Sequence, residues 1–204
     1  MTFYRHHADS YNSATAMFCW LRRQAVEQLG LQPGNTVIDA GCGTGLCFSY
    51  LQKAIGPTGH IIAIDQDASM LAQGTAMAVR NEWRNITFIH GPAQSAAIPA
   101  RADAALFCAV HDILHCTAAV KNVLAQVKPG GRVVAAGGKW PAAWLWPLHV
   151  VVAAIHAPYV TSLEGFERPW TPLLEHCPDL HIEPVALGTG YLAVGSLRPR
   201  LLAP

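Results

Sequence analysis

Apolar and polar positions along this chain follow two periods. "AMFCWLRRQAVEQLGL" repeats at helical spacing, with Phe18, Leu21, Val26 and Leu29 on one face, and Gly30 followed by Pro33-Gly34 stops it. "TVIDA", "HIIAID", "ITFIHG" and "ADAALFCAV" are short apolar runs that read as strands. The last is almost wholly apolar, as a strand covered on both faces must be. Between them, "GLCFSYLQKAIG" and "ASMLAQGTAMAVRNEW" read as helices, the first ending at Gly56-Pro57. "AAVKNVLAQVK" predicts a further helix, closed by Pro129-Gly130-Gly131 before the strand "RVVAAGG". Strand and helix alternating at this short spacing predict an α/β fold with a doubly wound, Rossmann-like sheet, mostly parallel. "HIEPVAL" and "GYLAVGSL", separated by "GTG", predict an antiparallel C-terminal hairpin that brings the sheet to seven strands.

Length and composition narrow the possibilities. The chain has 204 residues, 51% of them hydrophobic, enough for one well-buried core, so residues 1–204 read as a single domain. Net charge is +1 and no Lys/Arg cluster exceeds a pair, which argues against nucleic acid as a partner. The polar opening "MTFYRHHADSY" has no secretory character, and the six cysteines include no CxxC pair. Both point to reduced thiols and a cytoplasmic protein.

The candidate chemistry starts at "TVIDAGCGTG". Gly41, Gly43 and Gly45 follow the first strand, where a doubly wound sheet binds its ligands. A helix starting near Gly45 would direct free N–H groups to the same place. Asp65 ends the second strand, where its carboxylate can accept both ribose hydroxyls of a nucleoside. A dinucleotide fingerprint needs G-x-G-x-x-G, but Leu46 holds its third glycine position. Asp39 would repel a pyrophosphate and suits an ammonium group. The residues therefore favour S-adenosyl-L-methionine over NAD, leaving an NAD-dependent oxidoreductase as a weaker class.

"VIDAGCGTG", "IIAIDQDASML" and "VKPGGRVV" together resemble the class I S-adenosylmethionine-dependent methyltransferases. The flavour is that of the small-molecule group containing quinone-biosynthesis and phospholipid N-methyltransferases. The resemblance implies methyl transfer to a small, largely apolar or lipid-like acceptor at nitrogen, oxygen or carbon. It implies that Gln66 and Met70 pack on the adenine. It also implies an acid after the third strand, but this chain has "HGPAQS" there, with Pro92 at the acid's position. Ala93 can still offer its N–H, and Gln94 its amide oxygen. Pro92 gives some support to an alternative, a non-catalytic cofactor-binding paralogue that acts as an assembly partner. Residues 1–30 resemble a lid and helix, with Tyr4, His7 and Tyr11 as candidates to close over the site.

On the acceptor side, "CAVHDILHC" places Ala109 and Val110 beside the cofactor, then His111 and Asp112 at the mouth. A histidine there can serve as a general base, with Asp112 orienting it or meeting a substrate amine. The plainer reading makes His111 a structural residue bonded to the backbone. His115, four residues on, lacks a third partner for a metal, so no metal is expected. Residues 140–178 form an apolar insert and loop expected to cover the acceptor site. "WPAAWLWPLHVVVAAIHAPYV" carries no Asp, Glu, Lys or Arg. Its prolines and its place before the closing hairpin argue against a transmembrane span. It reads as a crossover packed on the core, or as a cover whose tryptophans wall a greasy pocket, with shallow membrane contact a variant. Oligomeric state stays open.

Overall fold

A computed structural model describes residues 18–198. Tyr4, His7 and Tyr11 lie outside the described residues. The sheet has seven strands in the order β3-β2-β1-β4-β5-β7-β6. These are β1 (Thr36–Ala40), β2 (His60–Asp65), β3 (Ile86–His90), β4 (Ala102–Cys108), β5 (Val127–Gly138), β6 (His181–Val185) and β7 (Gly190–Ser196). β1 to β5 run parallel, and β7 pairs antiparallel with both β5 and β6. Order reverses between β1 and β4, and a crevice opens there at the carboxyl ends of the strands.

The strand runs are apolar because both sheet faces are covered. Val37, Ile61, Leu106 and Val134 enter one core layer, while their neighbours Ile38, Ile62, Phe107 and Val133 enter the other. All eight have no exposed surface. At ~1.5–3 kcal/mol for each fully buried large apolar side chain, these layers set the register of the central strands. Pro184 is tolerated in β6 because an edge strand leaves one side of its backbone unpaired.

Helix α1 (Cys19–Gln28) buries Leu21, Arg22, Ala25 and Val26, with Phe18 only half-buried before its first turn. Helix α2 (Phe48–Ile55) begins three residues after the expected start near Gly45. Gly45, at φ +85°, is in a conformation no helix continues, and it accepts the Phe48 N–H. Helix α3 (Ala68–Arg80) is capped by Asp67, whose carboxylate accepts the N–H groups of Ser69 and Met70. A short helix α4 (His111–His115) and α5 (Thr117–Ala125) follow β4. Residues 128–131 loop out of the β4–β5 ladder, so Pro129-Gly130-Gly131 forms a bulge inside β5 and α5 has already ended. Helix α6 (Trp146–His156) lies in the apolar insert. No helix among the described residues is long and apolar enough to cross a membrane.

Candidate active site

A cavity of about 290 Å³ opens at the switch point, lined by residues from the glycine loop, β2, the loops after β3 and β4, and the insert. Gly41, Gly43, Asp65, Gln66, Met70, Ala93, Gln94, Ala109, His111 and Asp112 all line it. Asp39 lies just beneath, 2% exposed, and Gly45 stands off the lining. Val110, expected beside Ala109, lines the cavity too, whereas sequence reasoning missed Ile64, Asp67, Gly91, Ile113, Cys116, Tyr159 and Thr161. Asp67 was legible as a helix cap. Tyr159 and Thr161 arrive by tertiary folding from about 50 residues downstream of β4, without a local signal. A second depression, of about 330 Å³, lies between Gln28, Arg132 and Asp179, away from the glycine loop.

The three glycines serve different needs. A Cβ on Gly41 would come 2.4 Å from Val110 Cγ1, and one on Gly45 2.4 Å from the Phe48 ring. Both are required by the protein's own packing. Gly43, at φ +55°, has no protein atom within 4 Å of where its Cβ would lie, so that space belongs to the cavity.

The loop's donors are largely committed internally. Gly41 and Cys42 both donate to the Ile64 carbonyl, and Gly45 donates to that of Cys42. Gly43 donates to Asp65 Oδ2 at 2.8 Å, while Asp65 Oδ1 accepts the Asp67 N–H at 2.9 Å. The loop therefore meets a ligand mainly with acceptors. Asp39 Oδ2 is buried with no hydrogen-bond partner among the described residues. Burial, and then the charge of Asp65, push the Asp39 carboxyl up to about 7. Burial also raises Asp65, with the backbone donors of Asp67 and Gly43 opposing it. Two adjacent carboxylates, one of them orphaned, fit the ammonium and ribose hydroxyls of S-adenosyl-L-methionine and disfavour a pyrophosphate.

After β3, where the adenine contact was expected, Pro92 is exposed and does not line the cavity. Asn122 Nδ2 donates to the carbonyls of Ala93 and Ala96 at 2.8 and 3.0 Å, which fixes the loop carrying Ala93 and Gln94. Ala109 takes φ +58°, an uncommon conformation for a residue with a Cβ, at the point where β4 turns into α4.

His111 is 8% exposed, and its Nε2 lies 3.0 Å from the Glu164 carbonyl oxygen. A carbonyl only accepts, so Nε2 carries the proton and Nδ1 holds the lone pair. Nδ1 is buried with no partner among the described residues. Burial holds the His111 pKa below its usual value, the Glu164 contact opposing this. Asp112 does not make the expected orienting bond to His111. Its two carboxylate oxygens each lie 3.2 Å from the Thr161 N–H, tying the insert to α4. Among the described residues, no three metal-binding side chains gather.

The tryptophans do not form the expected wall. Trp144 and Trp146 are 77% and 70% exposed, because the insert buries α6 through Val152 instead. Trp140 stacks on His149 with ring centres 5.2 Å apart and meets Phe166 edge-on. Tyr159 and Thr161 supply the insert's part of the cavity wall.

Comparison with known proteins agrees with this geometry. Residues 37–131 match the methyltransferase domain family. The chain is 30% identical over 116 residues to the ubiquinone/menaquinone biosynthesis C-methyltransferase UbiE of Pseudomonas putida, a match covering 55% of this chain and 45% of that protein. It is 26% identical over 133 residues to the demethylmenaquinone methyltransferase of Anoxybacillus flavithermus, covering 63% and 56%. The chain thus spans about half the length of these relatives. An O-methyltransferase family protein from Burkholderia thailandensis superposes with a TM-score of 0.72 at 14% identity, covering 95% of this chain and 60% of that one. A SAM-dependent methyltransferase from Aquifex aeolicus gives 0.58 at 16%, covering 86% and 89%. The fold resembles that of the class I S-adenosylmethionine-dependent methyltransferases. Residues 37–131 carry the match to a methyltransferase domain, and these likenesses support S-adenosyl-L-methionine as the ligand of the site.

Proposed function

We propose that this chain transfers a methyl group to a small, largely apolar acceptor at nitrogen, oxygen or carbon. His111 Nδ1 receives the proton when the acceptor atom carries one. The observation that carries this reading is a buried nitrogen with no partner among the described residues, on a residue of the cavity wall whose other nitrogen faces the Glu164 carbonyl. A buried acceptor left unsatisfied costs about 1–3 kcal/mol, which a proton-bearing substrate group would offset.

The bound cofactor supplies an electrophilic methyl group. Asp39 receives its ammonium and Asp65 its ribose hydroxyls, while Gly43 leaves room for the chain between them. Gln66, Met70, Ala93 and Gln94 enclose the adenine. Ala109, Tyr159 and Thr161 shape the acceptor's place and exclude water, with Asp112 holding Thr161 there. The relatives named for quinone biosynthesis favour an apolar ring as acceptor. Residues 140–178 cover this side of the site, with Tyr159 and Thr161 on the cavity wall.

The test combines labelled cofactor with cell extract, followed by mass spectrometry of products one methyl heavier. His111→Ala should lower the rate by ~10²–10⁴-fold for a hydroxyl or acidic carbon acceptor, with S-adenosylhomocysteine binding intact. Binding without any methylated product would favour a non-catalytic assembly partner. The exposed face of Trp144, Trp146, Val150 and Val151 supports shallow contact with a lipid surface. Co-sedimentation with phosphatidylcholine vesicles, lost in Trp144→Ser/Trp146→Ser, tests that contact.

A further inference from the structure

The segment from Thr161 to Phe166 crosses α4 as a strap, with a separate contact to each polar residue of that helix. Thr161 N–H meets Asp112, and the Glu164 carbonyl accepts from His111. Gly165, at φ +69°, lies so close to His115 that a Cβ there would come 2.0 Å from its Nε2. Phe166, 1% exposed, presents its ring at an angle to His111, His156 and Trp140, with centres 5.0, 5.1 and 5.3 Å apart. Trp140 N–H donates to the Phe166 carbonyl at 2.9 Å, fastening the far end of the strap to the exit of β5.

We propose that Gly165 and His115 are positioning residues for His111: their contact seats the Glu164 carbonyl on Nε2 and so keeps Nδ1 free of a proton. The inference rests on the reading of His111 as proton acceptor. His111 and His115 are four residues apart on α4, and their rings lie 4.7 Å apart. His115 is thus a spacer between the strap and the base. Its ring bears on His111 from one side and accepts the bare backbone of Gly165 on the other. Glycine is required twice, by the left-handed φ and by the absence of room for a Cβ. The carbonyl that sets the tautomer belongs to the adjoining residue, so a displacement at Gly165 moves it directly. The remaining groups acting on His111 are Asp112 from its own helix and His156 from α6. Neither donates to or accepts from a His111 nitrogen among the described contacts. Among the described residues, the strap carbonyl alone bonds a His111 nitrogen and so selects which one is protonated.

The experiment uses the full chain with ¹⁵N-labelled histidine, reading the His111 tautomer and titration by two-dimensional NMR. Methyl-transfer kcat and the S-adenosylhomocysteine Kd are measured on the same samples. The parent protein should show protonated Nε2 and bare Nδ1. Gly165→Ala should mix the tautomers, move the titration up toward the ordinary value near 6.5, and lower kcat by about ten- to a hundredfold at unchanged Kd. Gly165→Ala/His115→Ala removes the clash and should recover the Nε2-protonated form and most of the rate. An unmoved tautomer in Gly165→Ala, or a double variant no better than the single, overturns the proposal. A shifted tautomer with unchanged kcat upholds the positioning contact and instead sinks His111 as proton acceptor. Should Gly165→Ala fail to fold, His115→Ala removes the other half of the same contact and leaves the strap backbone unchanged. A mixed tautomer there supports the same conclusion, and a retained one overturns it.

Discussion

Asp65 holds the glycine loop by its one open glycine: Oδ2 accepts the Gly43 N–H at 2.8 Å across the cavity floor. The residue expected to bind ribose therefore also shapes the loop that the cofactor passes. Asp65→Ala loses a charged acceptor worth ~1.5–3 kcal/mol and releases Gly43 together with the Asp67 N–H. S-adenosylhomocysteine affinity should fall by at least tenfold, with a lower melting temperature. Calorimetry giving a change below twofold would remove the ribose from this position.

Gly43→Ala directs a methyl group into open cavity space at φ +55°. The left-handed conformation costs about 1–2 kcal/mol, equivalent to a few degrees in Tm for a chain of this size. Loss of cofactor affinity should be much larger than this modest destabilisation. Gly45→Ala should show the opposite balance, because its Cβ would strike Phe48 in the core. Thermal unfolding and titration calorimetry on the two variants decide whether the glycines divide in this way.

Asp39 makes both stability and binding depend on pH. Its carboxyl sits at about 7 when folded, against roughly 3.9 when unfolded. Between those values the folded chain keeps a proton that the unfolded chain has released, so Asp39 causes stability to fall as pH rises. Asp39→Asn should remove that fall, measured by urea unfolding from pH 4 to 8 (~half-unit steps). Cofactor binding runs the other way, since the ammonium requires the ionised form. S-adenosylhomocysteine affinity should rise with pH up to about 7, by at most about tenfold per unit, and then level off. A flat profile in the parent protein would show that Asp39 does not meet the ammonium.

Ala109 carries strain that a glycine would relieve. At φ +58° the alanine Cβ costs about 1–2 kcal/mol, and the site faces the cavity, where little packing is lost. Ala109→Gly should raise Tm by a few degrees while weakening acceptor binding or lowering kcat. A drop in Tm would mean that the methyl group's contacts outweigh the backbone strain.

The sequence by itself determined the elements and most of the cofactor side. Strands buried on both faces leave long apolar runs, and the carboxyl ends of β1, β2 and β4 bring Gly43, Asp65 and Ala109 together by topology alone. Those residues are close in space because each follows its own strand, so local pattern suffices. Only the tertiary structure decided the rest. The α2 start moved to Phe48 because Gly45 packs against that ring at a positive φ, a contact periodicity does not encode. Trp144 and Trp146 looked like pocket walls from composition, yet they face outward because Val152 is the side of α6 that finds cover. The proposed acceptor side depends on Thr161 and Glu164 returning to Asp112 and His111 from about 50 residues away. No propensity or spacing specifies such a return. It follows from which backbone carbonyl and N–H groups lack partners until the strap folds back.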